Sequence, residues 1–251
     1  MTEQQPNGRP EEGNIALLID ADNASPQSID PVLTVLAEFG TVNVRRVYGN
    51  WNKPALKRWG ELTVRLGLEP FQQFDLTKGK NATDMRMTID AMDLLHRGRI
   101  TGFGLMSSDS DFTPLATRIR QEGVAVYGFG TDKTPIAFQT ACTRFIDASA
   151  LVRAAEAAAD PAPQPVPIAR PTAKNAIDAD LLKLLVDAYK AAAKDANGFA
   201  SLSAVGQLAG NRSSFDTRNY GFARLSDLIQ AVPNFQIERR EGGRVYVKRV
   251  R

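Results

Sequence analysis

The chain has 251 residues, 43% hydrophobic and 24% charged, with 31 basic against 28 acidic side chains, one cysteine (Cys142) and one histidine (His96). These are ordinary globular proportions that exclude a disulfide framework, a cysteine-based zinc site and a histidine-rich metal centre. No apolar run approaches the roughly 20 residues needed to span a bilayer, and the polar, acidic start is unlike a secretory signal, so the expected setting is the reducing cytoplasm, away from membranes.

In chain order, residues 1–13 are too polar to form a core and are expected to be disordered. Ile15–Ile19 is a short apolar run ending in Asp20, as in a strand buried on both faces. A helix is expected over Ser28–Phe39, stopped by Gly40, then a strand at Val42–Tyr48 and a helix over Pro54–Leu66 that ends at Gly67. Leu68–Phe74 reads as a strand, and Thr83–His96 as a strongly periodic helix with Thr83 as N-cap. Gly102–Met106 is an apolar strand, Phe112–Glu122 a helix, Val124–Phe129 a strand and Thr143–Ile146 a last edge strand. This alternation predicts an α/β domain over residues 14–150, a mostly parallel sheet flanked by helices.

Five prolines between Pro161 and Pro171 mark residues 151–176 as a semi-rigid Pro/Ala-rich linker. Beyond it the charge changes: residues 1–173 carry 18 basic and 20 acidic side chains, whereas from Lys174 onward there are 13 basic and 8 acidic. Leu181–Tyr189 forms an amphipathic helix, followed by helices at Ser203–Ala209 and Phe222–Ala231. Phe235–Lys248 alternates around Gly242-Gly243 as a β-hairpin. Three helices and a hairpin predict a small α+β winged helix over residues 177–251.

Ligands of an open parallel sheet bind beyond the carboxyl ends of its strands. The first strand delivers Asp20, Asp22 and Asn23 to that edge, the fourth delivers Asp109 and Asp111, and Asp84 opens the helix between them. Carboxylates gathered in one cleft repel one another unless a cation neutralises them. With only oxygen donors available, that cation is expected to be Mg²⁺ or Mn²⁺, and the chemistry phosphodiester hydrolysis. The plainer readings are an N-cap role for Asp111, a turn-holding role for Asp22 and a helix-dipole role for Asp84. Asp90 and Asp93 read as surface or helix-packing residues, His96 as a helix-end contact, and Cys142 and Trp59 as core. Trp51, in a loop beside Lys53, is placed to stack an unpaired base.

Ile19-Asp20-Ala21-Asp22-Asn23, Lys78-Gly79-Lys80 with Thr83-Asp84 and Ile89-Asp90-Ala91-Met92, and Ser107-Ser108-Asp109-Ser110-Asp111-Phe112 together resemble the NYN domain of the PIN-like ribonuclease superfamily. The resemblance covers residues 14–148 and implies a metal-dependent hydrolase acting on single-stranded RNA. Asp20, Asp84 and Asp109 fall at the core acids, with Asp111 and Asn23 as their neighbours; Asn81-Ala82-Thr83 is a longer spacer after Lys80 than is common in that family. Lys78 and Lys80 are expected to contact RNA phosphate.

The pattern Phe215-Asp216, Asn219-Tyr220-Gly221-Phe222 and Leu225-Ser226-Asp227-Leu228-Ile229 resembles the LOTUS domain, also called OST-HTH. That family implies RNA binding or protein docking. Arg239, Arg240, Arg244 and Lys248 on the hairpin make an electrostatic footprint for RNA; a protein partner through this module and a homodimer stay open. The leading expectation is thus a metal-dependent ribonuclease with an RNA-binding winged helix. Its alternatives are a non-catalytic RNA-binding adaptor and, because of Asp20-Ala21-Asp22, a dehalogenase-like phosphatase, although Asn23-Ala24 departs from that family's motif.

Overall fold

A run such as Ile15–Ile19 offers apolar side chains on both faces, so it is stable only when both faces are covered. A computed structural model, which describes residues 13–74, 82–159, 177–240 and 243–250, places it in β1 (Asn14–Asp20), whose residues after Asn14 are all buried. β1 pairs in parallel with β2 (Thr41–Gly49) on one side and β4 (Gly102–Met106) on the other, and β2 pairs in parallel with β3 (Glu69–Gln72). The sheet runs β3-β2-β1-β4-β5-β6, with β5 at Ala125–Gly130 and β6 at Arg144–Asp147. Parallel neighbours need crossovers; α1 (Ile29–Leu36), α2 (Lys57–Leu66), α3 (Ala82–His96) and α4 (Thr113–Gln121) supply them.

Backbone contacts divide the chain into two compact units, which separate within β5 at Tyr127/Gly128. In the first unit Trp59, Tyr48, Phe103 and Phe112 are among the largest fully buried side chains, each worth about 1.5–3 kcal/mol of apolar burial. The chain enters β1 through a close backbone approach: the Thr41 N–H donates to the Gly13 carbonyl at 2.7 Å. A Cβ on Gly40 would lie 2.1 Å from that oxygen, so only glycine fits. Gly67 ends α2 in the left-handed conformation, as its position predicts. Helix α3 is tied to the sheet by Asp90, 5% exposed, which accepts a hydrogen bond from the Tyr48 hydroxyl at 3.1 Å and faces Arg46 at 3.5 Å and Arg86 at 3.2 Å. Asp90 is therefore a helix-packing residue, with its charge matched by two guanidiniums.

The second unit holds the end of β5, α5 (Ile136–Ala141), β6, α6 (Ala148–Ala159) and the elements after residue 177. Neither α5 nor α6 was expected from the sequence, and α6 occupies residues assigned above to the start of the linker; residues 160–176 lie outside the described residues. β6 is bonded to the segment around Ser214–Asn219 by one backbone bond and two bonds to a side chain. The Phe145 N–H donates to the Ser214 carbonyl at 3.0 Å, the Asn219 amide donates to the Phe145 carbonyl at 2.6 Å, and the Asn219 carbonyl oxygen accepts from the Asp147 N–H at 2.8 Å. One asparagine side chain thereby satisfies a donor and an acceptor of β6.

The remaining elements are α7 (Ala179–Ala191), β7 (Ala200–Ser201), α8 (Leu202–Arg212), α9 (Leu225–Gln230), β8 (Phe235–Arg239) and β9 (Val245–Arg249). The three strands form an antiparallel sheet in the order β7-β9-β8, with Ile237 opposite Val247. Leu185, Val205, Leu228, Ile229 and Val247 meet in its core, against which Phe215 and Tyr220 are partly buried. Asp178 caps α7 by accepting from the Leu181 N–H at 2.7 Å. This is the winged helix expected from the sequence, with the short strand β7 added. Among the described residues no helix is long and apolar enough to cross a membrane.

Candidate functional site

The strand order reverses direction at β1 and β4, so the crevice beyond their carboxyl ends is the topological switch point of the sheet. The register Ile19↔Met106 leaves Asp20 and Ser107 as the next residues out on two adjacent strands. Asp20 is fully buried. Its carboxylate accepts from the Asn23 side-chain amide at 2.8 Å, the Ser107 hydroxyl at 2.8 Å and the Asp22 N–H at 3.1 Å. Burial pushes the Asp20 carboxyl above its ordinary pKa; the three hydrogen bonds act against this and the nearby Asp22 charge adds to it.

Ser107 continues the chain of bonds, because its oxygen also accepts from the Asp109 N–H at 3.0 Å. Asp109 in turn caps the short helical turn Ser110–Phe112 by accepting from the Asp111 N–H at 2.9 Å. The cap role that the sequence allowed for Asp111 therefore belongs to Asp109. The physical reason is an extra turn: the chain forms Ser110–Phe112 before α4 begins, which moves the first free N–H groups two residues upstream. Asp111 is left exposed and pointing its carboxylate toward its neighbours.

Asp84 lies in the first turn of α3, half-buried. Carboxylate oxygens of Asp84, Asp109 and Asp111 all lie within 4.8 Å of one another. Burial first, then the charges of Asp20, Asp109, Asp111 and Asp22, pushes the Asp84 carboxyl up to about 6. The donor set is all oxygen, mutually repelling and partly open to solvent, which fits a hard divalent cation. Asp20 is not one of the three grouped acids; it stands beside them behind its own hydrogen bonds. Asn23 acts on Asp20 directly. Sequence reasoning missed Ser107, although a hydroxyl one residue beyond a buried strand end is the available signal.

Around this edge, Lys53 pairs with Asp22 at 3.1 Å. Trp51 sits partly buried in its loop, where its backbone N–H donates to the Gln72 side chain at 3.0 Å, and among the described residues its buried indole nitrogen has no hydrogen-bond partner. Lys78 and Lys80 lie outside the described residues. In the winged helix Arg239 and Arg244 are exposed. Lys248 lies over the Phe199 ring at 5.5 Å. Arg240 is engaged internally: it meets Asp195 and Glu238 at 2.7 Å each and its guanidinium lies 4.2 Å from the Tyr246 ring centroid.

Comparison with known proteins places these observations in a family. The uncharacterized protein MJ0482 of Methanocaldococcus jannaschii is 29% identical over 140 residues, 54% of this chain and 54% of that protein, so the chain spans about half the length of this curated relative. A crystal structure of the Vibrio parahaemolyticus protein of unknown function VPA0982 has a TM-score of 0.47 at 18% identity, covering 55% of this chain and 94% of that one. The OST-HTH/LOTUS domain matches residues 174–247. The NYN domain matches residues 14–152, more than half of the sequence, and the chain belongs to the NYN-domain family of PIN-like proteins, with an OST-HTH/LOTUS module after it.

Proposed function

We propose that the chain is a divalent-metal-dependent ribonuclease that hydrolyses phosphodiester bonds in RNA and holds its substrate through the winged helix. The observation that carries this reading is the gathering of the Asp84, Asp109 and Asp111 carboxylates at the switch point, beside the buried Asp20. Asp84, Asp109 and Asp111 are the residues that would hold Mg²⁺ or Mn²⁺. When bound, such an ion supplies charge stabilisation for an in-line phosphoryl displacement and makes water a better nucleophile.

The protein's own part is to hold these acids in place. Asp109 is fixed by its cap bond to the Asp111 N–H and by the Ser107 hydroxyl, so its carboxylate is positioned before substrate arrives. Asp20, oriented by Asn23, ties β1 to that turn through Ser107 and adds negative potential behind the cluster. Lys53, held by Asp22, and Trp51 stand on the β2 side of the crevice, in position to meet phosphate and an unpaired base.

The test is incubation of the purified chain with labelled single-stranded RNA and Mn²⁺, against an Asp84→Asn/Asp109→Asn double variant. Cleavage by the wild type alone is the expected result; no cleavage, or equal cleavage by both, overturns the reading. A non-catalytic RNA-binding adaptor is the second reading. It draws on Asp20, whose carboxylate already accepts three hydrogen bonds and has little capacity left for a ligand. RNA binding without cleavage, together with no calorimetric Mn²⁺ binding, would favour it.

A further inference from the structure

Arg224 immediately precedes α9, and Arg244 immediately precedes β9. They are twenty positions apart in sequence, yet both line one open cleft of about 700 Å³ on the winged helix, with Ser201, Ser203, Ser226 and Tyr246. Both arginines are exposed, and among the described residues neither guanidinium has a carboxylate partner. Among the described residues no acidic side chain lines the cleft. The neighbouring arginine behaves differently: Arg240 is spent on Asp195, Glu238 and the Tyr246 ring, and so it fixes one wall without offering a free charge.

We propose that the Arg224–Arg244 cleft binds the sugar–phosphate backbone of a single RNA strand, an assignment that rests on the RNA-processing reading above. Two unpaired guanidiniums facing one cavity carry uncompensated positive charge, which an anion relieves, and the planar fork of arginine matches phosphate oxygens. The Ser201–Ser203 hydroxyl pair adds a neutral donor, as backbone-positioning contacts to phosphate and sugar commonly do, while the Ser226 hydroxyl donates to Asp227 at 3.1 Å. Ser201 stands at the N-cap of α8, but its hydroxyl is paired with that of Ser203 at 2.8 Å and makes no cap bond to a backbone N–H. Tyr246 supplies an aromatic wall held by Arg240, of the kind that accepts a stacked base without regard to its identity. The volume is that of a site for a nucleotide-sized ligand, within the roughly 300–1,000 Å³ usual for such pockets.

The test uses the full chain in EDTA, so that no cleavage occurs, and a short fluorescein-labelled single-stranded oligouridylate. Fluorescence anisotropy is measured across a salt series for the wild type, Arg224→Ala/Arg244→Ala, and a Lys190→Ala control at an exposed position of α7, outside the cleft. The double variant is expected to bind roughly tenfold or more weakly, and its log–log salt slope to be shallower by about 1.4, for two lost phosphate contacts on a single strand. Thermal melts of all three proteins check that the exposed substitutions leave the fold intact. If the wild type binds RNA and the double variant binds equally well, the cleft assignment falls alone, and a protein segment becomes the better occupant. If the wild type cleaves RNA in Mn²⁺ but the double variant matches it in both affinity and salt slope, the same conclusion holds. Absence of any RNA binding by the wild type overturns the assignment and the RNA reading together.

Discussion

The Ser107 hydroxyl donates to the Asp20 carboxylate at 2.8 Å across 87 positions of sequence, and the same oxygen accepts from the Asp109 N–H at 3.0 Å. One buried hydroxyl thus joins the acid at the end of β1 to the turn that carries the other strand's acid. Ser107→Ala removes a donor from a fully buried carboxylate and an acceptor from a partly buried N–H. The expected loss is about 1–3 kcal/mol of stability in a urea melt. The Asp20 carboxyl should also titrate higher than in the wild type, because one of the bonds that lowers its pKa is gone. A carbonyl-carbon NMR titration checks the second part; an unchanged Asp20 pKa would refute the link.

The acid cluster should make the metal-free protein less stable as pH rises. The folded-state Asp84 carboxyl is pushed up to about 6 from 3.8, and Asp20 is raised as well. A raised folded pKa means that the folded state holds its proton more tightly than the unfolded chain does. The stabilisation is therefore complete below about pH 4 and is lost as pH rises through about 6. Thermal melts in EDTA should show a decline of a few degrees across that window from these groups, and a smaller decline in Asp84→Asn. Adding Mn²⁺ at pH 7 should recover the loss in the wild type but not in the variant.

Asp109 and Asp111 offer a clean separation of folding from ligation. Asp109 both belongs to the acid group and caps the turn before α4, whereas Asp111 belongs to the group, is exposed and supplies the N–H that this cap receives. Asp109→Ala should lower stability by about 0.5–2 kcal/mol, the range for a lost cap, as well as weaken Mn²⁺ binding. Asp111→Ala should weaken Mn²⁺ binding at least as clearly while lowering the urea midpoint less, because the cap bond is kept. Calorimetry paired with denaturation distinguishes the two, and equal loss of stability would refute the assignment of the cap.

The legible parts of this molecule are those where burial leaves its mark on adjacent residues. β1 and β4 read as strands because burial on both faces demands continuous apolar runs, and their terminal acids follow directly. Asp84 was legible as a first-turn acid on a periodic helix. The residues ASALVRAAEAAA of α6 were not, because alanine gives no apolar stripe and the prolines that follow suggest a linker, although alanine is the strongest helix former. β7 is too short, at two residues, to show alternation. Among charged residues the sequence gives sign but not partner. Arg240 looks free until the fold brings Asp195 beside it, and Arg224 looks unrelated to the hairpin until the fold brings it and Arg244 to one cleft.

That contrast among the arginines is itself testable. Arg240 is bound on two sides by carboxylates, first Glu238 and then Asp195, and these bonds raise its already high pKa further. Its guanidinium also packs over Tyr246 at 4.2 Å and over Phe199 at 5.2 Å. A flat fork makes all these contacts at once, and a compact ammonium does not. Arg240→Lys should therefore lower the melting temperature nearly as much as Arg240→Ala, although the charge is kept. Arg239→Ala, at an exposed neighbouring site, should leave the melting temperature unchanged. If Arg240→Lys melts like the wild type, Arg240 acts through charge alone and belongs with the RNA-facing cations rather than with the fold.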